Sequence, residues 1–409
     1  MRAPSPSIIP AVPNAVLLLA GAHLVVDGYA NIYAPLLPLL IPRLDLSLAT
    51  AGLLAMWFHL AASVSQLGFG HLADRWRPRL LLAVGPIVAV VMLSLVGIAG
   101  SAVTLGGVLI LGGLGCAAFH PPAAVAVHRL GSARPGLAMS LHITGGNLGF
   151  SLGPIFFAPL AERFGVAWTP AMALPGLLVL ALMARYQPPV NREPQIDGGG
   201  LRPLRPYTRP LALRYTIAVL RTLTALCLTT YVPVLLTRRG LSVGDASWAF
   251  AVYLLASGVG GFLGGPAADR FGSRLVIILS LLLAAPFLVL APLLDGAWFI
   301  AVLAVGGFFL LSTMPVNVTF GQTLVPVSAG TVASLMMGAA WGTGGLAVPV
   351  VGLAADRVGL EAALMWLGVV PILAALFAWP LPAGHDRPRG SGPGVHGHQP
   401  EPRAGDVVR

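Results

Sequence analysis

Long apolar stretches separated by short polar joints dominate the hydropathy pattern of this chain. An α-helix needs about 20 apolar residues to cross the ~30 Å hydrocarbon core of a bilayer. Breaks at charged or Gly/Pro-rich joints divide the chain into twelve stretches of about this length. The predicted spans 1–12 cover residues 14–40, 48–70, 80–98, 102–128, 135–161, 167–186, 212–236, 246–267, 275–293, 297–322, 329–354 and 361–380. The pattern predicts an all-α polytopic membrane protein with twelve transmembrane helices.

The composition agrees with a membrane protein. Of 409 residues, 56% are hydrophobic and only 9% are charged, whereas a soluble protein carries about 25% charged residues. The first apolar stretch is too long for a signal-peptide core, so we interpret it as an uncleaved span. The two cysteines, Cys116 and Cys227, lie in apolar stretches and do not indicate a disulfide framework.

The arginines predict the orientation. All 24 basic residues are arginine, and cytoplasmic loops carry an excess of such residues. With the N-terminus inside, 18 arginines fall in cytoplasmic segments, five on the external side and one, Arg221, within span 7. This bias predicts a protein of the inner (plasma) membrane with both termini cytoplasmic. It also explains the net charge of +10 without nucleic-acid binding.

An internal repeat predicts two equivalent halves. GHLADRWRPR at 70–79 returns as GPAADRFGSR at 265–274, a shift of 195, and SLHITGGNLGFSLGP from Ser140 matches SLMMGAAWGTGGLAVP from Ser334, a shift of 194. Secondary transporters are often built from such repeats, with the site between them. We therefore predict a six-helix bundle in 1–186, a cytoplasmic linker in 187–211, a second bundle in 212–380 and a disordered cytoplasmic tail in 381–409.

The repeated motif resembles the signature of the major facilitator superfamily, G-x-L-A-D-R-x-x-x-R between spans 2 and 3, with a second copy between spans 8 and 9. The resemblance implies the fold of that family. It also implies a conformational latch that forms when the cytoplasmic side is closed and breaks when it opens. The implied latch residues are Asp74, Arg75 and Arg79 in the first copy and Asp269, Arg270 and Arg274 in the second.

Ionisable residues inside a membrane are costly and usually functional. Asp27 is the one carboxylate predicted deep in a span, about 20 Å from its start at ~1.5 Å per residue. His23, Asp27 and Asn31 share a helical face and predict a polar stripe towards an internal cavity. In span 7, the repeat shift of 194 maps Asp27 onto Arg221 and the shift of 195 maps it onto Thr222. Two interpretations stay open: the two charges form a pair, or Arg221 binds an anionic substrate while Asp27 carries the proton.

Two further spans carry candidate residues. In span 4, His120 precedes Pro121 and Pro122, which predict a kink, and the histidine either serves transport or stabilises that kink. Pro315 of span 10 corresponds to Pro121. In span 5, one face predicts close helix packing and another, with Asn147, could line the cavity. The packing face is formed by Gly145, Gly149 and Gly153, followed by Pro154.

Four motifs together resemble the fosmidomycin-resistance branch of the superfamily: H-x-x-x-D-x-Y and P-x-x-P in span 1, F-H-P in span 4 and GGNLGFSLGP in span 5. The resemblance implies a monomeric, proton-coupled antiporter that exports a small, drug-like compound, with an anionic compound as one option. A proton-coupled importer of a small organic solute and a non-transporting receptor remain alternatives. The expected partners are the substrate, protons and the lipid bilayer. No motif predicts an enzyme, a cofactor or a metal site.

Overall fold

A computed structural model describes residues 13–75, 78–130, 135–184, 202–325 and 328–381, and these residues form helices joined by short turns, with no strand among them. The first half of the chain contains seven α-helices and two short 3₁₀ segments at Leu95–Ile98 and Val166–Met172. The helices are α1 (Asn14–Ala30), α2 (Tyr33–Leu44), α3 (Leu48–Arg75), α4 (Pro78–Ser94), α5 (Ala102–Leu130), α6 (Pro135–Phe164) and α7 (Ala173–Ala184).

The second half repeats this order with more interruptions. A 3₁₀ turn at Arg202–Tyr207 leads into it, another lies at Ala291–Leu293, and a π-helical turn at Leu335–Ala339 interrupts span 11. The helices are α8 (Thr208–Arg238), α9 (Val243–Phe271), α10 (Ser273–Leu290), α11 (Gly296–Leu324), α12 (Ala329–Ser334), α13 (Ala340–Gly345), α14 (Val348–Val358), α15 (Leu360–Leu367) and α16 (Val370–Ala378).

The twelve predicted spans all correspond to helices. Eleven helical stretches of the described residues are long and apolar enough to cross a membrane, and the remaining span is the 30-residue helix α6. The all-α polytopic fold is therefore confirmed. The predicted linker is structured from residue 202 onward, because Leu204 and Leu211 pack against Val325, Val332 and Met336 of the second half. Its residues 187–201 and the tail 382–409 lie outside the described residues.

Span 1 is two helices rather than the single one predicted. α1 ends at Ala30, and α2 begins at Tyr33 with Pro35 in its first turn. A proline has no backbone N–H, and in the first turn of a helix this donor would have no intrahelical partner anyway. The proline therefore favours a new helix start at this point. Asp27 consequently lies in the last turn of α1, beside the interruption.

The two ends of the bundle differ in how the halves meet. We call the end that holds residues 70–79 and 265–274 the motif end, and the end where α3 and α9 begin the far end. The halves contact each other mainly through α3 against α14 and α6 against α9. At the far end, Tyr231 of α8 bridges the halves, because its hydroxyl lies 3.1 Å from the Leu48 carbonyl oxygen and 2.9 Å from that of Val348.

Within the first half, α1 and α6 pack with their backbones in contact. Each of three α6 glycines faces a carbonyl oxygen of α1, at Ala20, Leu24 and Gly28 in turn, so a Cβ at any of them would collide with α1 backbone. These glycines are Gly145, Gly149 and Gly153. Pro154 follows them inside α6. Small residues allow such close approach between membrane helices, and this contact positions α1 against α6.

We expect Gly149→Leu to destabilise the first half of the protein. The added side chain would meet the Leu24 backbone, which cannot move aside as a flexible side chain could. Overpacking of this kind costs about 1–3 kcal/mol or more. The melting temperature and the monodisperse fraction of purified protein should both fall. Gly107→Leu is the matched control, because a Cβ at Gly107 of α5 meets no atom within 4 Å. Equal behaviour of the two variants would contradict the backbone contact.

Candidate functional site

Two helices of the first half bring ionisable side chains to one point. His23 and Asp27 lie one turn apart on α1, and His120 reaches them from α5. The Nε2 atom of His23 lies 3.2 Å from Oδ2 of Asp27, and Nε2 of His120 lies 3.1 Å from Oδ1. The Asp27 side chain remains 21% exposed. The cluster is therefore buried among helices but not sealed from the space between them.

Backbone carbonyls determine where the histidine protons lie. Nδ1 of His23 is 2.8 Å from the carbonyl oxygen of His142, and Nδ1 of His120 is 2.7 Å from that of Cys116. A carbonyl oxygen can only accept a hydrogen bond. Both Nδ1 atoms must therefore carry a proton, which leaves each Nε2 of a neutral imidazole as an acceptor.

With this tautomer, the contacts between the two histidines and Asp27 depend on protons. A neutral imidazole with its proton on Nδ1 would direct a lone pair at an Asp27 oxygen, which is itself an acceptor. Each of the two short contacts becomes a hydrogen bond only if a proton lies between nitrogen and oxygen. The observed arrangement therefore needs two protons beyond those on the Nδ1 atoms. Loss of these protons replaces two attractive contacts with repulsive ones.

The same atoms could also hold a metal ion. Among the described residues, His23, Asp27 and His120 form a group whose ligand atoms lie within 4.8 Å of one another. Both histidines donate their other ring nitrogen to a carbonyl, as histidine ligands commonly do. The donor set would fit zinc. Protons alone can also satisfy the contacts of His23 and His120 with Asp27, without a metal ion.

Gly146 of α6 is a site residue that sequence reasoning missed. A Cβ at this position would lie 2.5 Å from Nε2 of His23 and 2.7 Å from Oδ2 of Asp27. Because Gly146 has no side chain, the His23 and Asp27 side chains have room to meet beside it. The sequence signal that could have identified Gly146 is the Gly-Gly pair at 145–146. Only Gly145 belongs to the packing face, in which glycines recur every four residues. His142 of α6 also contributes to the site, because its carbonyl fixes the tautomer of His23.

Arg221 lies in the second half and does not pair with Asp27. It is 1% exposed, and one of its terminal nitrogens donates to Oγ1 of Thr222 at 2.8 Å. Its Nε and Nη1 atoms have no hydrogen-bond partner among the described residues, and its electrostatic neighbour is Tyr253 of α9. The paired-charge alternative thus does not describe this conformation. Two buried nitrogens of the guanidinium therefore have no hydrogen-bond acceptor among the described residues.

Two further polar residues of the second half, one on α8 and one on α11, are buried. Arg214 is two turns earlier on α8, is fully buried, and has its guanidinium carbon 3.2 Å from the centre of the Phe320 ring of α11. Asn317 lies one turn from Phe320 on α11, is 2% exposed, and neither amide atom has a partner among the described residues.

The other cavity candidates do not join the cluster. Asn31 is buried and donates to the Phe150 carbonyl of α6 at 2.7 Å, which anchors the end of α1. Asn147 is exposed on α6. α5 continues as one helix through Pro121, and α11 does so through Pro315.

The latch candidates lie at the motif end. The side chains of Asp74 and Arg75 lie outside the described residues, while Arg79, Asp269 and Arg270 are exposed. Arg274 lies over the Trp379 ring of its own half at 5.6 Å. Asp269 forms no ion pair with a described residue. A latch through Asp269 is therefore not engaged with the described residues in this conformation.

Comparison with known proteins relates the chain to membrane transporters. The family model described as Major Facilitator Superfamily matches residues 19–244 and 215–403. The chain is 30% identical over 370 residues to the fosmidomycin resistance protein of Escherichia coli (strain K12), covering 87% of this chain and 89% of the relative. It is 29% identical over 385 residues to the uncharacterized MFS-type transporter YfnC of Bacillus subtilis (strain 168), covering 88% and 91%.

A solved structure shares the fold. It is a bacterial homolog of the human lysosomal transporter Spinster in an inward-facing and occupied conformation. The TM-score is 0.76 at 18% identity, with 89% of this chain and 95% of that chain covered.

Proposed function

Because this chain belongs to the major facilitator superfamily and is a secondary transporter, we propose that it exports a small, anionic, drug-like compound in exchange for protons. The observation that carries the proposal is the cluster of His23, Asp27 and His120, whose contacts require two protons. The resistance activity named in the 30%-identical relative supports export. We place the motif end and both termini in the cytoplasm, following the arginine bias.

The proton site is proposed to work through the packing of α1 against α5. With its protons the cluster joins the two helices, and without them three acceptors repel one another. Because the Asp27 side chain is partly exposed, protons can reach it from the space between the halves. Proton binding and release thus change the contacts within the first half, which is the requirement for coupling to a conformational change.

The substrate is proposed to bind through Arg221. A buried arginine without a carboxylate partner is costly in a membrane protein, and an anionic group would supply the missing acceptors for its Nε and Nη1 atoms. Asn317 offers both a donor and an acceptor from α11. Because the proton cluster and Arg221 lie in different halves, each half contributes one of the two binding functions.

Alternating access is proposed to move the two halves, the predicted bundles 1–186 and 212–380, relative to each other. In this conformation the far end is closed by contacts between the halves, and the latch residue Asp269 is unpaired among the described residues at the other end. We assign this state as the inward-facing one. Asp74, Arg75, Arg79, Asp269, Arg270 and Arg274 are proposed to form the latch in the opposite state.

A proton–anion symporter is the second candidate. Arg221 is positive, and the cluster also becomes positive when both histidines and Asp27 share two bridging protons. An anion is therefore favoured electrostatically by the protonated protein rather than opposed by it. This charge relation would suit uptake of an anionic solute together with protons.

Transport in proteoliposomes distinguishes these functions. Counterflow is measured with fosmidomycin, carboxylates, phosphonates and neutral analogues, with a pH gradient of either sign or with none. An exporter accumulates anionic substrate on the more acidic side of the membrane, and a symporter on the more alkaline side. No counterflow of any compound would contradict transport, and activity that a chelator removes and zinc restores would contradict the proton interpretation of the cluster.

A further inference from the structure

At the far end, a carboxylate of the second half binds the start of a helix in the first half. Oδ1 of Asp356, near the end of α14, accepts the Leu48 backbone N–H at 2.9 Å, and Oδ2 accepts that of Ala49, also at 2.9 Å. Leu48 and Ala49 are the first two residues of α3. Their N–H groups have no partner within the helix, so Asp356 supplies one from the opposite half.

The first half makes the same contact in return. Oε1 of Glu162, near the end of α6, accepts the Val243 N–H at 2.8 Å, and Oε2 accepts that of Gly244 at 2.9 Å. Val243 and Gly244 are the first two residues of α9. A Cβ at Gly244 would lie only 3.0 Å from the Glu162 oxygen, so glycine leaves room for the carboxylate.

The two contacts are copies related by the internal repeat. Glu162 and Asp356 are separated by 194 residues, and Val243 follows Leu48 by 195, the same shifts that relate the two halves elsewhere. Each carboxylate accepts two backbone donors at the positive end of a helix dipole, which favours an anion. Two equivalent positions therefore retain the same chemistry with different acidic residues.

Both contacts can exist only while the far ends of the halves touch. In each case the acid and the helix start belong to different halves. Separation of the halves at this end would break these four hydrogen bonds and expose four helix N–H groups and two carboxylates to water. Ser242, by contrast, caps α9 from within its own half, where its hydroxyl accepts the Asp245 N–H at 3.0 Å. That cap is independent of the distance between the halves.

We propose that Glu162 and Asp356 form a pair of far-end clamps that stabilise the state closed at this end. The proposal uses the alternating access of the proposed function but neither its protons nor its substrate. The clamps oppose the motif-end latch: the latch stabilises the state closed at one end, and the clamps stabilise the state closed at the other. Because both partners of each clamp are retained in the repeat, the two clamps should contribute similarly.

Spin-label distances across the far end test the clamps without any transport assay. Val103 of α5 and Ala297 of α11 are exposed far-end residues of opposite halves, and both native cysteines are buried. Labels at Val103→Cys and Ala297→Cys should report one main distance in the closed state. Glu162→Gln and Asp356→Asn should each increase the ratio of the long to the short distance by roughly threefold to thirtyfold, and the double variant by more.

Asp245→Asn is the matched control. It removes a carboxylate from the same helix start, but Asp245 is bonded to Ser242 of its own half. Its distance distribution should equal that of the parent. A shift as large as that of Glu162→Gln, or no shift in either clamp variant, would overturn the proposal. The melting temperature of each variant, measured in the same detergent, excludes unfolding as the cause of a longer distance.

A proline tests the backbone donor itself. Val243 is the first residue of α9, where proline is favoured, and Ser242 already has the extended ψ of 159° that suits a residue before proline. Val243→Pro removes one of the two N–H groups that Glu162 accepts and should therefore produce part of the shift of Glu162→Gln. The double variant should show little more than Glu162→Gln alone. Full additivity of the two shifts would contradict a direct contact.

Discussion

Asp27→Asn should reduce pH-driven accumulation of substrate by at least 100-fold while exchange of substrate across the membrane continues. The asparagine keeps the shape of the acid and can still contact His23 and His120, but it cannot release a proton. Exchange needs no proton turnover, whereas uphill transport does. Removal of a required proton-transfer group typically costs about 10²–10⁴-fold in rate, so the loss in accumulation should be large.

The measurement compares counterflow with accumulation in the same proteoliposomes. Asp45→Asn is the matched control, because it changes an acid to an amide directly after α2, the second helix of the same span. Asp45 is exposed and has a positive φ of 48°, a conformation that asparagine adopts readily. This control should behave as the parent. Accumulation by Asp27→Asn under a pH gradient would mean that Asp27 is structural.

The repeat made the fold predictable from sequence. Each half had to bury the same apolar faces, so the two matched motifs and the twelve apolar stretches predicted the halves and their order. The sequence also shows the prolines of span 1, but it does not show which of them begins a new helix. That depends on where the chain can leave backbone N–H groups without an intrahelical partner. Boundaries of this kind follow from local geometry that hydropathy does not report.

The cluster was only partly predictable. Spacing placed His23 and Asp27 on one face of α1 because residues four apart lie one turn apart. His120 was a separate candidate, since nothing in the sequence measures the distance between α1 and α5. The far-end clamps could not be predicted for a different reason. Glu162 and Asp356 are exposed acids near helix ends, which is a common arrangement. Their partners are backbone N–H groups of the opposite half, and the sequence does not show which helix ends meet.

Arg221→Gln should weaken binding of an anionic substrate by about 30-fold or more and leave proton binding at the cluster intact. Removing one partner of a buried hydrogen-bonded charge pair costs about 2–5 kcal/mol. Arg221→Lys keeps the charge but loses the planar fork of donors, so its affinity should lie between those of the parent and the glutamine variant. Asp27 binds His23 and His120 rather than Arg221, and therefore Arg221→Gln should not rescue Asp27→Asn.

Substrate binding is measured by the half-saturating concentration for counterflow at symmetric pH, where the proton gradient contributes nothing. Arg238→Gln provides the control on the same helix, because Arg238 is exposed at the far end of α8. A neutral analogue of the substrate should bind the parent and Arg221→Gln equally, since it offers no acceptor charge to the guanidinium. If Arg221→Gln instead restores accumulation to Asp27→Asn, the two charges compensate each other during the cycle, and Arg221 is a counter-ion for Asp27 rather than an anion site.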